Sequence, residues 1–238
     1  MNNREPIIRS EADSGLAAFM TKVYMWMSVA LVITGVVAYY VSTNEALIEA
    51  IIVNRIMFWA LIISEVALVW YLSANIHKMS SGNATAMFMV YAALNGATLS
   101  IIFLIYTMGS IANTFFITAG TFAVMSAYGY FTKSDLTKWG NILFMALIGV
   151  IIASVVNVFM GSGLLYWIIT YVGVLVFTGL IAYDTQKLKN IYNGIMTTKS
   201  DEVIEIQDKS AIMGALSLYL DFINLFLLLL RFFGGGRD

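Results

Sequence analysis

Apolar residues fill this chain in long runs separated by short polar stretches, and the runs are of membrane-crossing length. Seven segments reach the roughly 20 residues that a helix needs to cross a bilayer core: residues 17–42, 54–74, 84–108, 110–131, 141–160, 164–184 and 211–231. The pattern predicts an all-α integral membrane protein of seven transmembrane helices, with residues 1–16 as a cytoplasmic tail before a 17–238 membrane domain. The third and fourth runs nearly touch, and Gly109-Ser110 reads as the turn between them. Short connections make successive helices antiparallel neighbours.

The loops set the orientation, because Lys and Arg accumulate on the cytoplasmic side. With the N-terminus inside, the inner loops hold Arg4, Arg9, Lys22, Lys78, Lys133, Lys138, Lys187, Lys189, Lys199 and Lys209. The outer side holds Arg55, Arg231 and Arg237. Ten cations against three favour N-inside and place the C-terminus outside. The longest loop, 185–210, falls on the inner side and reads as a solvated connector; a short interfacial helix at Glu202-Val-Ile-Glu-Ile-Gln is the alternative. The first run is about 26 residues long, more than a cleavable leader's apolar region needs.

Composition narrows the chemistry. The 238 residues are 60% hydrophobic and 11% charged, with net charge −1, far below the roughly 25% charged residues of soluble domains. Nothing in that charge favours nucleic acid. There is no Cys and one His, His77, which removes thiolate chemistry and His-based metal clusters. Pro6, the single proline, lies outside every run. Trp26, Trp59, Trp70, Trp139 and Trp167 sit mostly near span ends, as an aromatic belt does. No nucleophile–base pair or resident-cofactor motif can be assembled, so an enzyme is the class least expected.

Against this background three acids stand out. Asp221 lies near the middle of the last run, Glu65 near the centre of the second, and Asp184 at the end of the sixth. A charge at bilayer depth costs about 2.5–3.5 kcal/mol on insertion scales and marks a functional site by default. Gly214, Ser217, Asp221, Asn224 and Arg231 are spaced by 3, 4, 3 and 7 and share one helix face of roughly 100°. Ser217 and Asn224 read as interhelical hydrogen-bonding groups, Gly214 as a point of close approach, and Arg231 as an interfacial anchor. No Lys or Arg lies deep in a span, so buried acids here must hold a proton, share one, or hold a mobile cation. Oxygen ligands alone suit Ca²⁺, Mg²⁺ or H⁺. Three groups are candidate partners of Asp221. Asp184 is the first choice, because its helix is consecutive and helix tilt with two side-chain lengths spans the roughly 15 Å of depth between them. Glu65 is the other mid-span acid, and Arg55 is too far away on the outer side.

Two motifs carry a resemblance. Gly179-Leu-Ile-Ala-Tyr-Asp184-Thr-Gln-Lys187, followed by Gly214-Ala-Leu-Ser-Leu-Tyr219-Leu-Asp221-Phe-Ile-Asn224 and Leu230-Arg231-Phe-Phe-Gly234, resembles the Bax inhibitor-1 (TMBIM) family, and within it a bacterial, YbhL-like branch. The likeness extends along essentially the whole chain, including Glu65-Val-Ala-Leu. It implies a bacterial inner-membrane protein whose last helix is central and wrapped by the other six. It also implies a pH-sensitive calcium leak in which Asp184 and Asp221 form a hydrogen-bonded, proton-sensing pair that meets calcium, with Tyr183 preceding it in the motif. Glu65 becomes a candidate pathway acid. A basic latch near the inner end of the family's second helix aligns with Ile76 here, flanked by His77 and Lys78. Two other readings use the same residues differently: a cation/proton-coupled transporter, and a non-conducting regulator that binds a membrane protease or another membrane protein.

Overall fold

The computed structural model describes residues 4–196 and 203–236. Its helices are α1 (Arg4–Ser42), α2 (Glu45–Ile48), a π-helical turn Glu49–Val53, α3 (Arg55–Asn75), α4 (Ser81–Leu99), α5 (Ile102–Ile105), α6 (Met108–Phe131), α7 (Thr137–Met160), α8 (Gly163–Met196) and α9 (Val203–Phe233). Among the described residues there is no strand, only an isolated bridge between Tyr106 and Gly236. Seven helical stretches are long and apolar enough to cross a membrane, as the hydrophobic pattern predicts.

Local chemistry explains the boundaries. Asn54 accepts from the Ile56 and Met57 N–H groups and starts α3, and Ser80 accepts from Asn83 N to start α4. Such caps satisfy donors that a helix leaves orphaned in its first turn. Thr107 does the same for Ser110 N. The turn after the third span is therefore at Tyr106-Thr107, and Gly109-Ser110 lies inside the first turn of α6 instead of forming the turn. Gly161 closes α7 with φ 62°, a left-handed cap that favours glycine.

The region read as a long connector over 185–210 is mostly helix: α8 runs to Met196 and α9 begins at Val203. The interfacial-helix alternative starts one residue before that boundary; Glu202 itself lies outside the described residues. Charged side chains mark where the bilayer ends, not where the helix ends. Likewise α1 begins at Arg4, within the stretch read as a tail. Arg237 and Lys199, counted for orientation, lie outside the described residues.

The chain divides into two compact units, Met1–Leu104 with Leu188–Ser217, and Ile105–Lys187 with Leu218–Asp238. In the first, α1 packs on α4 at Gly96, where a Cβ would lie 2.6 Å from the Thr34 carbonyl oxygen. Thr34 Oγ1 is 2.9 Å from both Ala30 O and Ala92 O. The N-terminal end of α9 is held to α1 by the Lys22–Asp208 ion pair at 2.6 Å, and Gly214 leaves room for the Leu188 side chain.

In the second unit, α8 rests on α6 at Gly129, which faces the backbone of Ala182, and on α7 at Gly140, which faces the Tyr183 ring. Phe222 of α9 packs against Phe115 and Phe122 of α6, at ring separations of 5.4 and 5.8 Å. The chain end folds back as a strap. Gly235 O accepts from Thr107 N, Gly235 N donates to Ser110 Oγ, and Gly234 leaves no space for a Cβ against the Tyr106 ring. α9 is the most enclosed span, with 72% of its apolar window buried against 0% for α7. The polar-bearing helix is therefore core material, and α7 presents its apolar surface outward.

Candidate functional site

Asp221 sits on α9 and is only 5% exposed. Its Oδ2 is buried and makes no hydrogen bond. Buried polar atoms are almost always paired, so an orphan oxygen on a carboxyl group marks this position. Two charged groups act on it electrostatically: Asp184, which repels its charge, and Lys187, which attracts it.

The residues around Asp184 set how α8 is held. The neighbours of Asp184 on either side are committed elsewhere. Ala182 lies against Gly129, and Tyr183 against Gly140. Thr185 Oγ1 is 3.0 Å from Ser126 Oγ of α6. Gln186 accepts from Leu136 N and donates to Ser134 O, both at 2.8 Å, which ties α8 to the connection before α7. These contacts fix the rotation of α8 about its axis. Asp184, half-buried, and Lys187, exposed, lie three residues apart on one face of that helix.

The other expected residues separate. Asn224 Nδ2 donates to Leu220 O within its own helix at 2.8 Å, so that bond is not an interhelical link. Ser217 is half-buried on the same helix. Arg231 is more than an interfacial anchor: Nη1 donates to Thr170 Oγ1 at 3.3 Å, and the guanidinium stacks 4.8 Å from the Tyr166 ring centroid. Ile76, at the latch position, is buried and apolar, with His77 and Lys78 exposed beside it.

Glu65 lies in the first unit and is satisfied differently. Thr98 Oγ1 donates to Oε1 at 2.5 Å, and Asn95 Nδ2 to Oε2 at 3.2 Å. Both donors come from α4, so the acid cross-links α3 to α4. Sequence reasoning missed these partners, although Asn95 and Thr98 were visible as a polar pair three residues apart in an apolar run. It also missed Lys187, which lies just past the end of the sixth apolar run and reads as an inner-loop cation. Among the described residues no three or more His, Cys, Asp or Glu side chains cluster as a metal site would.

Residues 16–238 match the family model described as Inhibitor of apoptosis-promoting Bax1. The chain belongs to the Bax inhibitor-1 family. It is 53% identical to the inner membrane protein YbhL of Escherichia coli (strain K12) over 224 residues, 94% of each chain. Uncharacterized proteins of Borreliella burgdorferi and Rickettsia prowazekii are 48% and 44% identical, over 92% and 95% of this chain and 93% of each relative. With seven helices of spanning length, this Bax inhibitor-1 family member is a multi-pass inner-membrane protein.

Proposed function

We propose that this protein is a pH-sensitive calcium leak of the inner membrane, gated by the pair Asp184 and Asp221. The observation that carries the reading is the orphan Oδ2 of a buried mid-helix aspartate that feels a second carboxylate. A carboxyl group in that position holds either a proton or a passing cation. With a proton bound, the pair carries one charge fewer and its repulsion falls. With the proton gone, repulsion between the two acids rises, and Lys187 and a calcium ion are the groups that offset it. Calcium is the cargo, and a two-carboxylate oxygen site holds it weakly enough to release it.

The packing supports a direction for the motion. α8 is locked to α6 and α7 through Gly129, Gly140, Ser126 and Gln186. A change in repulsion is therefore passed to α9, where Phe222, next to Asp221, packs on the Phe115 and Phe122 rings of α6. A charge change at the pair thus biases a packed, bistable element.

Calcium flux into proteoliposomes, followed across acidic to neutral pH, tests the reading. The wild-type chain should give a pH-dependent passive flux, and Asp221→Asn should flatten that dependence. Unchanged flux and unchanged pH response in the variant would sink the proposal. Uphill calcium movement driven by a proton gradient would replace the leak with a coupled transporter.

A further inference from the structure

Among the described residues, two buried side-chain atoms make no hydrogen bond: Asp221 Oδ2 and Thr114 Oγ1. Thr114 lies on α6 and is 0% exposed. A mid-helix threonine has a ready remedy, donation to the carbonyl four residues back. Thr118, Thr170 and Thr185 of the same unit all take it, at 2.7–2.8 Å. Thr114 does not use the Ser110 carbonyl in this way. Burying a polar group without a partner costs about 1–3 kcal/mol, so this hydroxyl suits a ligand that the fold itself does not supply.

The contacts between α6 and α9 fix where Thr114 stands. The two helices run antiparallel: Phe222 packs on Phe122 and Phe115, Phe226 packs on Phe115, and Gly235 bonds to Ser110. Moving along α9 from Asp221 to the chain end therefore moves back along α6 from Phe122 to Ser110. Thr114 falls between the Phe115–Phe226 contact and the glycine strap. At 1.5 Å per residue it lies roughly 7 Å beyond the level of Asp221 and one turn short of Ser110. Thr114, Thr118 and Phe122 recur every four residues and share one buried face. Phe122 packs on α9, so that face looks into the unit and away from lipid. One turn past Thr114 the strap closes the seam, with Gly235 N donating to Ser110 Oγ at 2.9 Å and Thr107 N to Gly235 O at 3.3 Å.

We infer that Thr114 is an oxygen ligand on the cation path, the step between Asp221 and the strap, and that the strap is the gate at that end. The inference rests on the leak proposed above and names a second residue for it. Ca²⁺ accepts neutral oxygens beside carboxylates. A lone hydroxyl replaces part of a hydration shell without holding the ion tightly, which conduction requires. The ion exchanges the carboxylates for Thr114 and leaves when the two strap hydrogen bonds open.

The chain has no cysteine, so one introduced thiol reports alone. The test is reaction with a water-soluble cationic methanethiosulfonate, present on both faces of proteoliposomes. Thr114→Cys should react at least about tenfold faster than Val124→Cys, because the reactive thiolate forms only where water reaches. Val124 is on the opposite side of the same helix and 68% exposed towards lipid. Calcium should slow the reaction of Thr114→Cys, and adding Ser110→Ala, which removes one strap bond, should speed it severalfold. Thr114→Val keeps the shape and deletes the hydroxyl. It should lower calcium flux about tenfold at an unchanged thermal midpoint, the loss of roughly one ligand contact, and Thr114→Ser should retain the flux. Thr114→Cys no more reactive than Val124→Cys, with the strap intact or loosened, overturns the path. Wild-type flux in Thr114→Val overturns the ligand role, and unchanged reactivity on adding Ser110→Ala overturns the gate. Failure of the leak reading is a separate result: no calcium flux in the wild-type chain, whatever the thiol does.

Discussion

Glu65 and Asp221 are both carboxylates at bilayer depth, yet their surroundings differ in kind. Glu65 has a donor for each oxygen, Thr98 and Asn95, both from the neighbouring helix. Asp221 has an orphan oxygen and charged neighbours of both signs, Asp184 and Lys187. The first arrangement joins two helices. The second leaves bonding capacity unused at a buried site, which is a poor way to build a scaffold and a good way to hold something that comes and goes. Depth alone does not distinguish the two acids; the donors facing their oxygens do.

The largest effect should come from destroying the packing on which each site rests. Gly129→Leu would drive a side chain into the Ala182 backbone and should cost about 2–3 kcal/mol, read as a lowered thermal midpoint in detergent. It should also abolish the pH response of calcium flux by displacing Asp184. Gly96→Leu, in the other unit, meets the Thr34 backbone and should destabilise comparably. Loss of stability without loss of pH response there would sharpen the contrast.

Removing the acids themselves should then give opposite signs. Glu65→Leu strands the Asn95 and Thr98 donors and should destabilise by about 1–2 kcal/mol. Asp221→Leu removes a buried carboxyl group with one orphan oxygen and should be neutral, or stabilising by up to about 1 kcal/mol, while flux loses its pH dependence. A substantial loss of stability in Asp221→Leu would break the comparison, since it would show a partner that the carboxyl group needs for folding. The test is one thermal-melt series on the two variants.

The smallest effect belongs to a third acid, in the connection before α7. Asp135 accepts from Thr137 N at 2.9 Å. The Thr137 side chain, then its backbone N–H, hold the carboxylate below its ordinary value of 3.8. A depressed folded value means that the stabilising contribution is present above the unfolded value and is lost as pH falls below it. The contribution is slight, because the group is fully exposed. Asp135→Asn should leave flux near neutral pH unchanged and remove only a small acid-side loss of stability, visible in thermal melts at low pH. It is the water-facing control against which the two membrane acids are judged.

The membrane fold was legible because apolar run length is a direct consequence of bilayer thickness. What the hydrophobic pattern reports, however, is lipid and not helix. Residues 203–210 are helical but charged, so a reading built on hydropathy turns them into loop. Gly109-Ser110 looked like a turn because glycine punctuates turns, yet Thr107 supplied the cap two residues earlier. The acids were visible at once, since their cost in lipid makes them conspicuous. Their partners were not: Asn95, Thr98 and Ser126 are small polar residues of a kind common in packed membrane helices, and only the packing distinguishes a donor from a filler. Lys187 was missed because it follows the sixth apolar run and reads as loop, whereas α8 continues through it to Met196.

The glycine strap has a practical consequence. Gly234 and Gly235 fasten the end of α9 to Tyr106, Thr107 and Ser110 at the start of α6. Anything fused after that strap is mechanically coupled to the helix that carries Asp221. An affinity tag there would load the helix that carries Asp221, so purification handles belong at the opposite terminus, whereas a fluorophore at the strap would report strain on α9.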